Sequence, residues 1–128
     1  MIERLVPPGA PAPQGPYSPA VRAGGFIYVS GQGPIDPQTG QFLLGDIAQQ
    51  TRKVLENVRD ILQGCGAGME DVVKCSVFLT DASEFAAMNA VYAEFFGPHK
   101  PARTTVATAL VAPGMKVEID CVAWRPVS

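Results

Sequence analysis

The strand segments of this 128-residue chain are apolar on both faces, yet the sequence supplies only two helices to cover a sheet. Tyr28 stands beside Phe26, Phe78 beside Val77, and Val122 and Trp124 beside Ile119 and Cys121. Two amphipathic helices cover one face of a sheet, so something else must cover the second. Large apolar faces are rarely left open on monomers, and self-association is the expected cover.

The helices are read from a change of period. Beyond Gly45, Ile47, Val54, Leu55, Val58, Ile61, Leu62 and Cys65 recur at steps of three and four. Gln49, Arg52, Lys53, Glu56, Arg59 and Asp60 fill the opposite side. This pattern predicts an amphipathic helix of roughly 19 residues from Asp46, stopped by Gly64 and Gly66. Asp81-Ala82-Ser83-Glu84 has the form of a capping box and opens a second helix. Phe85, Met88, Val91, Tyr92, Phe95 and Phe96 form its apolar side, and Gly97-Pro98 ends it.

Eight glycines and eight prolines fall in residues 1–45, so the first third is expected to be rich in turns. Within it, Phe26-Ile27-Tyr28-Val29-Ser30 predicts a short buried strand, and residues 36–40 a turn. Residues 72–80 predict a strand with Val73, Cys75, Val77 and Leu79 on one face and Lys74, Ser76 and Phe78 on the other. Pro101 opens a final pair of strands, 103–110 and 116–125, joined around Pro113-Gly114. The order β, β, α, β, α, β, β predicts a single α+β domain over residues 1–128. It is a two-layer sandwich whose mixed sheet of about five or six strands carries both helices on one face.

Several chemistries are disfavoured. Ten basic and 12 acidic side chains give a net charge of −2, a poor match to a nucleic-acid phosphate backbone. No apolar run approaches the roughly 18–20 residues of a bilayer crossing. Met1 to Val6 runs into Pro7-Pro8 without a signal-like apolar stretch, so a cytoplasmic location is expected. Cys65, Cys75 and Cys121 read as free thiols, and the single His99 cannot build a His-rich metal centre. There is no Gly-x-Ser-x-Gly elbow, and Ser30-Gly31-Gln32-Gly33-Pro34 lacks the spacing of a phosphate loop.

What remains is a cation and an anion on the last two strands. Arg103 follows Pro101-Ala102 in a charge-poor region, and Glu118 interrupts an otherwise core-like run. A guanidinium fork suits a carboxylate, and a partly desolvated Glu works as a proton shuttle near neutral pH. The bland alternative is a cross-strand Arg–Glu pair on a wet face, contributing about 0–1 kcal/mol; Asp120, on the same face as Glu118, favours it.

Taken in order, Gly15-Pro16-Tyr17-Ser18, Val29-Ser30-Gly31-Gln32, Asn89, Pro101-Ala102-Arg103 and Lys116-Val117-Glu118-Ile119 resemble the RidA family, also called YjgF or L-PSP. The resemblance spans Tyr17 to Ala123. It implies a chorismate-mutase-like fold and a homotrimer with a central barrel and clefts between subunits. It also implies cofactor-free hydrolysis of 2-imino acids and their enamine tautomers, among them 2-iminopropanoate and 2-iminobutanoate, to 2-oxo acids and ammonia. By that resemblance Arg103 binds the substrate carboxylate and Glu118 activates water, while Tyr17, Ser30, Gly31 and Asn89 line or shape the cleft. Thr105 stands where many bacterial members carry Cys, which puts an oxidation-dependent activity at that position in doubt. Two rival functions are a non-catalytic ligand-binding or chaperone-like trimer and a ribonuclease.

Overall fold

A computed structural model describes residues 1–127. Its elements are β1 (Ile2–Leu5), β2 (Ala20–Ala23), β3 (Phe26–Gln32), α1 (Ile47–Gly64), β4 (Val72–Leu79), α2 (Phe85–Phe96), β5 (Ala102–Ala107) and β6 (Val117–Trp124). The six strands form one mixed sheet in the order β1-β2-β3-β6-β4-β5, in which only β4 and β5 run parallel. Both helices pack on one face, giving the α+β two-layer architecture expected from the sequence.

Asp46 starts α1 by accepting a hydrogen bond from the Gln49 amide, while the Gln49 side chain accepts one from the Asp46 amide, each at 2.8 Å. The helix is 18 residues long, and Gly66 beyond it takes a positive φ of 83°, which favours glycine. Val54, Leu55, Val58, Ile61 and Leu62 pack as anticipated. They meet Ile27 and Val29 of β3, Cys75, Val77 and Leu79 of β4, and Val117, Ile119, Cys121 and Ala123 of β6.

Five expectations need correction. Three strands, not two, precede α1, because the short N-terminal segment pairs with β2. β3 is buried only on alternate residues: Ile27 and Val29 face the helices, whereas Phe26 and Tyr28 stand on the outer face and are exposed. Val73 lies outside the core because a bulge between Val72 and Lys74 hands the inward position to Val72. Asp81 caps a single 3-10 turn by accepting from the Ser83 amide at 2.9 Å, so α2 begins only at Phe85 and no capping box forms. Phe85 is consequently exposed and Phe95 half-buried. Finally, β5 and β6 are not neighbours, since β4 lies between them, and a direct Arg–Glu pairing across these strands does not occur.

The outer face of the sheet carries Phe26, Tyr28, Phe78, Val106, Val122 and Trp124 with no element of the described chain over it. Phe26 and Trp124 meet edge to face with ring centroids 4.8 Å apart.

Two buried amides on the inner side of α1 tie down the loops that end β3 and precede β6. Asn57 donates to the Gly33 carbonyl at 3.2 Å and to the Ile35 carbonyl at 2.8 Å. Gln50 donates to the Gly45 and Gly114 carbonyls, both at 3.1 Å, and accepts from the Lys116 amide at 2.7 Å. Replacing Asn57 by Ala leaves two buried carbonyls without their donor. It is expected to lower unfolding free energy by about 1–3 kcal/mol in denaturant titrations; an unchanged midpoint contradicts the clamp.

Candidate active site

Two groups of polar residues lie on opposite faces of the sheet. β5 pairs with β4 so that Arg103 lies opposite Cys75 and Thr105 opposite Val77, both inward residues. Glu118 lies opposite Phe78 and shares the outward parity of Asp120 and Trp124. One chain therefore does not join Arg103 to Glu118.

The first group surrounds Arg103. Its guanidinium carbon sits 4.7 Å from the centroid of the Tyr92 ring and 5.4 Å from that of Phe85, within cation–π range. Phe85, Asn89 and Tyr92 recur at the spacing of one helical face, so Asn89 lies between the two rings. Among the described residues Arg103 makes no ion pair. The side-chain oxygens of Asn89, Tyr92 and Thr105 are buried without a hydrogen-bond partner. Buried polar atoms of this kind are normally satisfied; the Thr105 hydroxyl can donate to an anion held by the cation, whereas the Asn89 carbonyl oxygen can only accept.

The second group surrounds Glu118. Between Val29 and Gln32 a bulge places two β3 residues, Ser30 and Gly31, against Asp120 alone. Such a bulge re-aims the chain locally, and here it brings the Gly31 backbone against the Glu118 side chain. A Cβ on Gly31 would lie 2.9 Å from the Glu118 carboxyl carbon. Burial raises the pKa of Glu118, and the Asp120 carboxylate raises it further. Ser30 donates its hydroxyl to the Ser18 carbonyl at 2.6 Å, tying the segment that carries Tyr17 to β3. The Tyr17 hydroxyl accepts from the Gln14 amide at 3.1 Å. Tyr17, Ser30, Gly31 and Glu118 line a cavity of about 600 Å³.

The thiols do not contribute a nucleophile. Cys65, Cys75 and Cys121 are free and buried, and burial pushes the Cys75 thiol up to about 11. Burial likewise raises Cys121 and the Tyr92 phenol. Among the described residues no cluster of His, Cys, Asp and Glu could hold a metal ion, and no helix is long and apolar enough to cross a membrane.

The candidates visible in the sequence fall into these two sets, Asn89, Arg103 and Thr105 in one and Tyr17, Ser30, Gly31 and Glu118 in the other. Phe85 and Tyr92 carry only a packing signal in the sequence, and Gln50 and Asn57 are not among its candidates. The available signal was a pair of amides seven residues apart within an otherwise apolar stripe.

These features define a small α+β protein whose charged groups are divided between the two faces of one mixed sheet. Residues 8–125 match the family described as Endoribonuclease L-PSP, and the chain belongs to this RidA/YjgF/L-PSP family. The RutC family protein PH0854 of Pyrococcus horikoshii is 46% identical over 125 residues, covering 98% of this chain and 99% of the relative. Protein mmf2 of Schizosaccharomyces pombe, named as mitochondrial, is 46% identical over 112 residues, covering 85% and 87%. The expected cytoplasmic location is therefore not shared by every named relative. RidA from Psychrobacter superposes with a TM-score of 0.90 at 37% identity, covering 95% of this chain and 98% of that one. E. coli TdcF with bound serine gives 0.84 at 39%, covering 91% and 93%.

Gly31→Ala is expected to displace the Glu118 carboxylate toward water, because a carboxylate at the end of a flexible side chain yields more easily than backbone. The Glu118 pKa, followed by carboxyl NMR titration, should then fall toward its ordinary value of 4.5. An unmoved titration contradicts the close approach.

Proposed function

We propose that the protein hydrolyses 2-imino acids to 2-oxo acids and ammonia, at sites formed where subunits of a homotrimer meet. The observation that carries this reading is Arg103, a cation within reach of two rings of α2, beside buried unpartnered polar atoms and, among the described residues, without an anionic partner. β5 is an edge strand of the sheet, so a second copy packed along that edge can bring its Glu118 to the Arg103 of the first. Family membership supports the reading, as does serine, a small amino acid, bound to the related TdcF.

In this mechanism Arg103 grips the substrate carboxylate through paired hydrogen bonds, supported by Asn89 and Thr105. Glu118 accepts a proton from a water molecule as its oxygen bonds to C2, and the π pair of the protonated C=N bond moves onto nitrogen to give a carbinolamine. Glu118 returns its proton to that nitrogen, the C–N bond breaks as the hydroxyl oxygen forms C=O, and ammonia leaves while the hydroxyl proton passes to Glu118 and on to water. Tyr17, Ser30 and Gly31 shape the wall that holds Glu118. No cofactor takes part. An enamine must first take up a proton at C3 to become the imine.

RNA cleavage is the weaker reading, because the Glu118 cavity is lined largely by apolar side chains and the chain has a net charge of −2. Backbone phosphates call for a basic groove. Non-catalytic ligand binding differs from the proposal only in turnover.

The test is an assay of ammonia release from imines generated in place. Arg103→Ala is expected to lower kcat/KM at least about 100-fold by loss of the charged carboxylate contact. Glu118→Gln is expected to lower kcat by about 10²–10⁴-fold. Because the free carboxylate is the base and its pKa is raised, wild-type kcat/KM should decline with falling pH while still above pH 4.5. Full activity in Arg103→Ala, or no acceleration by the wild type, removes the reading.

A further inference from the structure

The cavity beside Glu118 is far larger than a methyl or ethyl side chain requires. In one chain it is an open cleft of about 600 Å³, within the roughly 300–1,000 Å³ of small-molecule pockets. Its lining combines two chemistries: Tyr17, Ser30 and Glu118 are polar, while Ile35, Phe42, Val111, Ala112 and Met115 supply an apolar wall. We propose that this wall holds the side chain of the substrate, and that the preferred 2-imino acids carry branched or aromatic hydrocarbon side chains. The inference rests on the hydrolase reading above and adds the substrate class.

Gly33 makes the space. A Cβ at this position would lie 2.8 Å from the Met115 sulfur and 3.4 Å from the Phe42 ring, so any side chain here displaces the wall or fills the pocket. The wall is also held in place before a ligand arrives. Asn57 fixes the carbonyls of Gly33 and Ile35, and Gln50 fixes Gly114 and the Lys116 amide on either side of Met115. Ile35 and Met115 are buried against this frame. A pre-formed apolar surface next to the reacting acid discriminates by buried hydrocarbon, about 0.8 kcal/mol or roughly fourfold for each methylene. A small substrate leaves the surface wet and gains none of that.

The test compares imines generated from L-alanine, L-leucine and L-phenylalanine by an amino-acid oxidase, with peroxide removed by catalase. For the wild type, kcat/KM is expected to be at least about tenfold higher for the leucine- and phenylalanine-derived imines than for the alanine-derived one. Gly33→Val should shrink that ratio by filling the floor of the pocket. Val111→Trp should shrink it from the mouth, at a position 96% exposed where substitution does not disturb the core. Hydrolysis of the alanine-derived imine at an equal or greater kcat/KM overturns this inference and leaves the hydrolase reading standing. An unchanged ratio in both variants also overturns it. No hydrolysis of any of the three overturns both.

Discussion

Alternation along β6 governs the arrangement of the charged groups. Held between β3 and β4, this strand turns Val117, Ile119, Cys121 and Ala123 toward the helices and Glu118, Asp120, Val122 and Trp124 away from them. A slip of one residue would exchange the two sets, bury two carboxylates and expose the core, so the register is strongly specified. β5 adds in parallel to β4 with Arg103 opposite Cys75, and the guanidinium takes the inner side. The same pleat that buries the core therefore separates cation from acid. A single chain cannot undo that separation without breaking its ladder, whereas a second chain can supply the missing group.

Each group is incomplete in a complementary way. Arg103 has rings above it and polar oxygens around it but, among the described residues, no anion, while Glu118 carries a raised pKa next to a second carboxylate. Joining them would exclude water from both and strengthen the attraction between guanidinium and a bound carboxylate. The aromatic residues of the outer face, which no described element of one chain covers, supply the apolar area that association would bury.

Much of this was legible in the sequence. The apolar stripe of α1 follows directly from Val54, Leu55, Val58, Ile61 and Leu62, and Arg103 and Glu118 stood out as charges in charge-poor strands. What was hidden depends on pairing partners, which local patterns do not carry. The bulge at Val72–Lys74 shifts Val73 outward without any change in hydrophobicity to announce it. The insertion of β4 between β5 and β6 removes the neighbour relation that their order along the chain invites. Tyr92 looked like packing because its spacing is that of a helical apolar face, and only the nearby guanidinium gives its ring an electrostatic role. Gly33 has meaning only through Met115 and Phe42, which are far from it in sequence or across a turn.

The most direct test of the split site is subunit complementation. Chains carrying Arg103→Ala are co-expressed with chains carrying Glu118→Gln under separate affinity tags, and the doubly tagged oligomers are assayed for imine hydrolysis. If the two groups serve one site from different subunits of a trimer, every mixed trimer rebuilds one of its three sites with both groups intact, about a third of the sites, and activity rises far above either variant alone. Mixed oligomers no more active than the inactive parents would mean that both groups act within one chain, and the account would fail.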